Sequence, residues 1–187
     1  MLFRSLTLQP ASRSYSARAG EVMTYPGRKT AASQDWLNLP VSGISWDDAQ
    51  AYTAWLARTG RLPRARLCEE TEWERAARGA DDREYPHGDE LGPEDANFDE
   101  TYGKEPLSFG PDAAGSHPAS RSPFGVDDMV GNVWEWTSSA LVAGERLVRG
   151  GSFYHDRNSS RSTNREVPEP ALRDLTVGMR VCASVGD

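Results

Sequence analysis

The stretch SPFGVDDMVGNVWEWT, residues 122–137, carries more structural information than any other part of the chain. Gly131 lies near its middle and permits a sharp bend that turns backbone carbonyls inwards. Asp128 and Glu135 place a carboxylate on each side of this bend. Calcium binds about six to eight oxygens from carboxylates and carbonyls, so the pattern is typical of a cation-binding loop. The alternation over residues 132–137 indicates that the loop leads into a short strand.

Two helices are predicted upstream of this stretch. Ser45 and Asp48 form a capping pattern, in which the serine accepts a bond from a free backbone N–H and the aspartate reaches back. Apolar residues at helical spacing then predict a helix over 46–58. A second helix is predicted over 69–78, because glutamates fill its first turn, which the helix dipole favours, and Gly79 follows it.

The remaining segments contain little periodic structure. Residues 80–124 are rich in Gly, Pro, Asp and Asn, which predicts a long loop system held by something other than an apolar core. Short strands are predicted over 132–137, 146–149 and 177–183. Two helices, several short strands and much loop together predict an α+β domain. Residues 1–39 show no sustained period and are interpreted as an irregular arm or short strands.

Charge and hydropathy limit the classes of partner. The net charge of −7 argues against a nucleic-acid surface, which needs a basic stripe, and against an anionic membrane surface. No apolar run is long enough to cross a bilayer. Residues 1–20 lack the continuous apolar centre of a signal peptide, so a cytoplasmic location is expected.

Two cysteines, Cys68 and Cys182, occur in the whole chain. They are too few for a cysteine-rich zinc site. The sequence leaves open whether they form a disulfide, because one pair of cysteines does not define a disulfide framework. The favoured interpretation is two reduced thiols that pack as small apolar groups.

Six segments, in this order, resemble the formylglycine-generating enzyme family, also called the sulfatase-modifying factor family. They are residues 40–49, 66–79, 85–97, 122–137, 149–162 and 178–181. The resemblance implies an α+β fold of the C-type lectin kind with little regular secondary structure. It assigns residues 40–187 to the domain and leaves residues 1–39 as an irregular arm or the truncated start of the domain. It also places five tryptophans in the core: Trp46, Trp55, Trp73, Trp134 and Trp136.

The resemblance implies that calcium stabilises the domain. The expected ligands of the first site are two carboxylates and two carbonyls, from Asp128, Gly131, Val133 and Glu135. The competing interpretation is a capped turn with surface acids. A second site would use Asn97 and the carbonyl of Phe98, with Asp112 as a candidate acid; a plain Asx turn explains the same residues.

The resemblance also locates the segment where the family's enzymes hold copper. Those enzymes use two cysteines after a Gly-Gly-Ser element, and soft thiolates suit Cu(I). Here His155 stands in the place of the first cysteine, and no cysteine occurs between Gly150 and Val181. The sequence therefore argues against copper and assigns no catalytic residue. One alternative is a diverged oxidative enzyme with a non-cysteine metal site that includes His155.

The favoured function is a non-catalytic recognition module that binds a peptide or protein. Its expected recognition face combines an aromatic ring, a histidine, two arginines and an amide: Tyr154, His155, Arg157, Asn158 and Arg161. The competing interpretation is that these arginines only pair with the excess acids of the domain. The segment order also resembles modules appended to bacterial serine/threonine kinases, which suggests the C-terminal domain of a larger signalling protein. A lectin-type protein diversified by a retroelement is the third alternative.

Overall fold

The computed structural model describes residues 22–185. Within this range the α-helices are α1 (Trp46–Arg58), α2 (Glu70–Arg78) and the single-turn α3 (Asp99–Tyr102). The strands are β1 (Val22–Thr24), β2 (Ser33–Asp35), β3 (Ala65–Leu67), β4 (Trp134–Trp136), β5 (Val148–Arg149), β6 (Arg165–Glu166), β7 (Val177–Met179) and β8 (Val181–Ala183). The α+β class and both predicted helices are confirmed, and α3 is an addition. No helix of the described range is long and apolar enough to span a membrane.

The central sheet has four strands in the order β6-β5-β4-β7. β4 pairs antiparallel with β5 and parallel with β7, so that Glu135 lies opposite Arg149 on one side and Gly178 on the other. A side chain in place of Gly178 would collide with the carbonyl of Val41. β3 pairs with β8, and β1 pairs with β2 in a hairpin. Glu135 therefore lies on an inner strand of the largest sheet.

The main apolar core lies around β4 and the start of α1. Its buried members are Ile44, Ala49, Leu67, Trp134, Trp136, Val148 and Val177. Two indole hydrogen bonds also connect the start of α1 with β4. The N–H of Trp136 donates to the Ile44 carbonyl at 2.9 Å, and the N–H of Trp46 donates to the Thr137 carbonyl at 2.8 Å. Burial of these rings removes much apolar surface from water, at roughly 25 cal/mol per Å².

Helix α1 begins as the sequence predicts but buries a narrower face. The Ser45 hydroxyl accepts the N–H of Asp48, and the Asp48 carboxylate accepts the N–H of Ser45. Tyr52, predicted on the apolar face, is 48% exposed. Trp55 was predicted in the core, but it is only partly buried and its ring stacks on Tyr52. The prediction was wrong for these two side chains, because the sheet covers only the side of the helix nearest Ala49.

Helix α2 is fastened by a buried arginine. Trp73 and Ala77 face the interior, as predicted. Arg149, from β5, is fully buried and forms ion pairs with Glu70 at 2.8 Å and Glu74 at 2.6 Å on this helix. Its guanidinium also donates to the carbonyls of Ser162 and Thr163. One side chain thus joins the central sheet, α2 and the segment that follows the expected recognition face.

A second buried ion pair organises the loop system of residues 80–124. Arg28 pairs with Asp112 at 2.5 Å, and the side chains of both are almost fully buried. The guanidinium lies between the rings of Tyr25 and Tyr102, at 3.7 and 3.8 Å from their centroids. Asp112 also accepts bonds from Gln34, Tyr102 and His117. The hairpin segment, for which the sequence left an irregular arm or short strands open, consists of two short strands and is connected to the long loops by a polar cluster.

The two cysteines are joined. Cys68, directly after β3, and Cys182, in β8, form a disulfide across 114 residues of sequence. The favoured prediction of two reduced thiols was wrong, because the pairing of β3 with β8 brings Arg66 opposite Cys182 and so brings the two thiols together. Disulfides persist mainly in oxidising compartments, and the cytoplasmic location expected from the sequence stays a prediction.

Candidate functional site

A cavity of about 190 Å³ lies beside the start of β4, next to the stretch of residues 122–137. Its lining residues are Pro40, Ala114, Asp128, Asn132, Val133, Glu135, Met179 and Arg180. Three of the four expected calcium ligands of the first site therefore meet here: Asp128, Val133 and Glu135. Gly131 is not among the lining residues; its Cα faces the carbonyl of Asn97 so closely that a side chain would collide with it.

Glu135 is held by two neighbours. Arg180 reaches both of its carboxylate oxygens, at 2.8 and 2.9 Å, and the Trp73 indole donates to one of them at 2.6 Å. The same guanidinium donates to the carbonyl of Asp127 at 2.9 Å and to that of Asp128 at 3.3 Å. Arg180 thus fixes the acidic loop against the strand, a role that the sequence analysis did not assign to it.

Asp128 supplies the second carboxylate of the cavity. Its backbone has a φ of 57°, the left-handed region that few side chains adopt. One carboxylate oxygen accepts the N–H of Gly115 at 2.7 Å. Burial raises the pKa of Asp128, although Gly115 and Arg180 act in the opposite direction, and Glu135 adds to the rise.

The ligand types in this cavity suit a hard cation, although both Glu135 oxygens already accept bonds from Arg180 and Gly131 lies outside the lining. Two acids and one arginine leave one negative charge in excess, and buried charges are costly unless they are paired. Carboxylate oxygens together with backbone carbonyls are the ligands that calcium takes in proteins. In the described range, no group of three or more His, Cys, Asp or Glu side chains converges as a metal site, so backbone oxygens would have to complete the shell.

The second expected calcium site has a less suitable geometry. Both oxygens of Asp112 are already engaged, one by Arg28 and the other by Tyr102 and His117. The side-chain amide of Asn97 donates to the Gly110 carbonyl at 2.8 Å, and the Phe98 carbonyl accepts the N–H of Thr101. The Phe98 carbonyl and the candidate acid therefore already have partners within the protein, and this site stays a prediction that the contacts do not favour.

The five residues of the expected recognition face follow the Gly150-Gly151 turn, and most of them reach the surface. Tyr154 is 42% exposed, and Asn158 is also exposed. Arg157 pairs with Glu100 at 2.6 Å and Arg161 pairs with Glu84 at 3.1 Å. These exposed ion pairs are the contacts that the competing interpretation predicts, and such pairs contribute little stability.

Neighbouring loops contribute residues that the sequence analysis did not assign to this face. The ring of Phe109 contacts that of Tyr154 edge-on at 5.3 Å, and Lys104 lies 4.8 Å from the Tyr154 ring centroid. Both come from the long loop system, more than 40 residues earlier in the chain. No local pattern signals such a contact, because the residues that meet are far apart in the sequence.

His155 is partly buried behind Tyr154. Its Nδ1 lies 2.7 Å from the hydroxyl of Ser152 and 3.2 Å from the indole nitrogen of Trp134. Ser152 is fully buried, and Trp134 is 1% exposed. One edge of the imidazole is therefore fixed by the interior, at the position where the family's enzymes have a cysteine.

The residues present do not fit the family's copper centre. That centre needs two thiolates, and the chain has two cysteines, which form the Cys68–Cys182 disulfide. Cys68 follows β3 and Cys182 lies in β8, whereas His155 follows β5. The imidazole and hydroxyl groups at the family's position do not reproduce a reactive dithiolate.

Comparison with known proteins gives related sequences with different names. The inactive C-alpha-formylglycine-generating enzyme 2 of Bos taurus is 34% identical over 176 residues, which cover 86% of this chain and 56% of that protein. The hercynine oxygenase of Mycobacterium tuberculosis is 32% identical over 166 residues, covering 76% of this chain and 36% of that protein. The chain thus spans about half or less of the length of these relatives.

Comparison with solved structures supports the fold. Treponema denticola variable protein 1 superposes with a TM-score of 0.69 at 18% identity, covering 87% of this chain and 77% of that one. The family model of the sulfatase-modifying factor enzyme 1-like domain matches residues 11–185. The match includes most of residues 1–39, interpreted from the sequence as an irregular arm or the truncated start of the domain. The chain belongs to the sulfatase-modifying factor enzyme 1-like family, the formylglycine-generating enzyme family that its motifs resemble.

Proposed function

We propose that this domain is a non-catalytic recognition module that binds a peptide or protein segment at the face around Tyr154 and His155. The observation that carries the proposal is the Cys68–Cys182 disulfide, because it uses both cysteines of the chain and leaves no thiolate pair for oxidative chemistry. A relative named as an inactive formylglycine-generating enzyme accords with this proposal.

The composition of the face favours a peptide ligand. An exposed tyrosine packed against Phe109 offers a ring on which a ligand side chain can stack. Arg157 and Arg161 offer planar donors that suit carbonyl or carboxylate groups. Their present partners, Glu100 and Glu84, are about as exposed as the arginines, so a ligand can displace them at little cost.

Calcium is part of the proposal as a structural ion. Asp128, Glu135 and the carbonyl of Val133 would hold it in the cavity beside β4, and the carbonyl of Gly131, outside the lining, would have to turn towards it. A bound cation would balance the excess negative charge there and fasten the acidic loop to the start of β4. The ion would then support the loops that carry the recognition face rather than contact the ligand.

A binding assay tests the recognition face. The protein is applied to an immobilised library of extended peptides, and binding is compared between the wild type and the Tyr154→Ala, Arg157→Ala double variant. We expect the double variant to lose the peptides that the wild type retains, with its melting temperature almost unchanged. Tyr52→Ala is a matched control, because Tyr52 is also an exposed aromatic residue, on α1. Equal retention by wild type and double variant would refute the proposed face.

A second assay tests the absence of formylglycine-generating activity. A sulfatase-type cysteine peptide is incubated with the protein, with and without copper, and analysed by mass spectrometry for the aldehyde. We expect no aldehyde above the buffer control, because no thiolate pair is available. Copper-dependent turnover would contradict this proposal.

A diverged oxidative enzyme is the second candidate, because one relative is named a hercynine oxygenase. His155 would then belong to a non-cysteine metal site. Metal analysis of the purified protein separates the two functions, since calcium alone favours the recognition module and stoichiometric iron or copper favours the enzyme. Membership of a larger signalling protein and diversification by a retroelement stay predictions.

A further inference from the structure

The interior of the protein presents a fixed hydrogen-bond donor to one edge of His155. Trp134 Nε1 lies 3.2 Å from Nδ1 of the imidazole, and the two rings meet edge-on at 5.5 Å between centroids. The hydroxyl of Ser152 lies 2.7 Å from the same nitrogen. Since Trp134 and Ser152 are both buried, neither contact is open to exchange with water.

The indole determines which imidazole nitrogen carries the proton. A tryptophan side chain can only donate a hydrogen bond, so Nδ1 of His155 must accept. A neutral imidazole has one donor and one acceptor nitrogen, and the proton must therefore be on Nε2. Ser152 is consistent with this assignment, because its oxygen accepts the N–H of Tyr154 and its own proton is free to point at Nδ1.

The opposite edge of the ring faces the solvent. Within residues 22–185, Nε2 of His155 makes no hydrogen bond, and it is not one of the buried polar atoms that lack a partner. The exposed ring of Tyr154 lies beside it, at 6.2 Å between centroids. The outward Nε2–H is therefore placed on the surface proposed to bind ligand.

We propose that Trp134 and Ser152 lock His155 into the Nε2–H tautomer, so that it serves as a donor to an oxygen acceptor of the ligand rather than as a metal ligand. This inference rests on the proposed recognition function for its ligand. A metal on Nε2 would require the proton on Nδ1, directly opposite the Trp134 N–H. Metal-bound histidines normally direct that second N–H at an acceptor, which is the reverse of the arrangement here.

Nitrogen NMR of the histidine side chains tests the tautomer without any ligand. At about pH 8, above the ordinary range for histidine titration, the resonance of Nε2 in His155 should be of the protonated type and that of Nδ1 of the unprotonated type. The signal is assigned by its loss in His155→Gln. A proton on Nδ1, or an even mixture of the two tautomers, would overturn the inference.

Two variants separate the roles of the neighbours. Ser152→Ala should keep the Nε2–H tautomer, because Trp134 still only donates. Trp134→Phe keeps an aromatic ring but removes the N–H, and both tautomers should then become populated. If Trp134→Phe does not fold, the wild-type and Ser152→Ala spectra decide the question, since an Nδ1–H signal in either refutes the lock.

Small probes test the ligand chemistry. Acetate represents a carboxylate, N-methylacetamide a peptide carbonyl, and methylammonium a cation without an acceptor. The Nε2–H resonance should shift with acetate or with N-methylacetamide and not with methylammonium. A larger shift with acetate identifies a carboxylate as the preferred acceptor, and a larger shift with N-methylacetamide identifies a peptide carbonyl. No shift with either oxygen probe would refute the outward donor. Failure of the peptide-binding assay with the tautomer intact would refute the recognition function alone.

Discussion

Reduction of the Cys68–Cys182 bond should destabilise the domain substantially. The bond closes a ring that spans 114 residues. In the chain-entropy model, closing a loop of about 100 residues stabilises the folded state by about 4.7 kcal/mol, and the logarithmic dependence changes this little for a slightly longer loop. For a domain of this size each kcal/mol corresponds to about 2–4 °C in melting temperature, so a fall of roughly 10–20 °C is the upper limit.

The closing strand should loosen first after reduction, because few other contacts hold it. β8 pairs with β3 through three residue pairs, and the side chains of β8 are only partly buried or exposed. Arg180, directly before β8, lies near the bond, since its carbonyl is 4.0 Å from the Cys68 sulfur. Loosening of this strand should therefore also weaken the hold of Arg180 on Glu135.

Thermal unfolding followed by tryptophan fluorescence, with and without dithiothreitol, measures the effect. Alkylation before and after reduction, read by mass spectrometry, counts the free thiols. The matched control is the Cys68→Ala, Cys182→Ala variant, which should melt at one temperature whether or not reductant is present. Two alkylated thiols in protein purified without reductant, or a wild-type midpoint unchanged by reduction, would refute the reasoning.

Three further outcomes are expected. Calcium bound at the cavity should stabilise the folded state by about 2.7 kcal/mol at a hundredfold excess of ion over its dissociation constant, so chelation should lower the melting temperature. Asp128→Asn should melt at the same temperature with and without chelator. An unchanged melting temperature of the wild type on chelation would contradict the site. Arg149→Met should cost about 3 kcal/mol in urea unfolding, since it takes the fully buried partner from Glu70 and Glu74 and leaves them only Arg165 and Arg78, which are more exposed. A loss below 1 kcal/mol would show that the buried pairs are not needed. Burial raises the pKa of Asp48, but Arg173 and Ser45 outweigh burial, so the pKa in the folded state is lowered. The stability that this cap contributes is therefore present above the pKa of the unfolded state and is lost as the pH falls through the pKa of the folded state. Ser45→Ala should be about 1 kcal/mol less stable at neutral pH and should lose less stability than the wild type on acidification.

Local signals predicted the helices well. The Ser45–Asp48 pattern places the start of α1 at the observed residue, because the capping bonds involve neighbours three positions apart. The acid-rich first turn and Gly79 likewise define α2. Family motifs then predicted that Asp128 and Glu135 lie together, which a sequence pattern alone would not have shown, since backbone bends bring them into one cavity.

Long-range partners were beyond the sequence. Cys68 and Cys182 are separated by most of the domain, and only the register of β3 and β8 shows that they meet. Arg180 belongs to a motif, yet nothing local indicates that it would engage Glu135. The burial of Tyr52 was predicted wrongly, because helical spacing identifies a face without showing how far the neighbouring sheet extends.

The cluster around Asp112 has a consequence for redesign. Tyr102 and Ser108 are both tied to it, through the Tyr102 hydroxyl and through the Ser108 carbonyl, which accepts from Arg28. Residues 104–107, between these anchors, are exposed. Doubling the length of such a turn costs only about 0.6 kcal/mol in closure entropy. Lys104 of this turn lies over the Tyr154 ring, so foreign sequences grafted there would reshape the surface around Tyr154 while the scaffold stays unchanged.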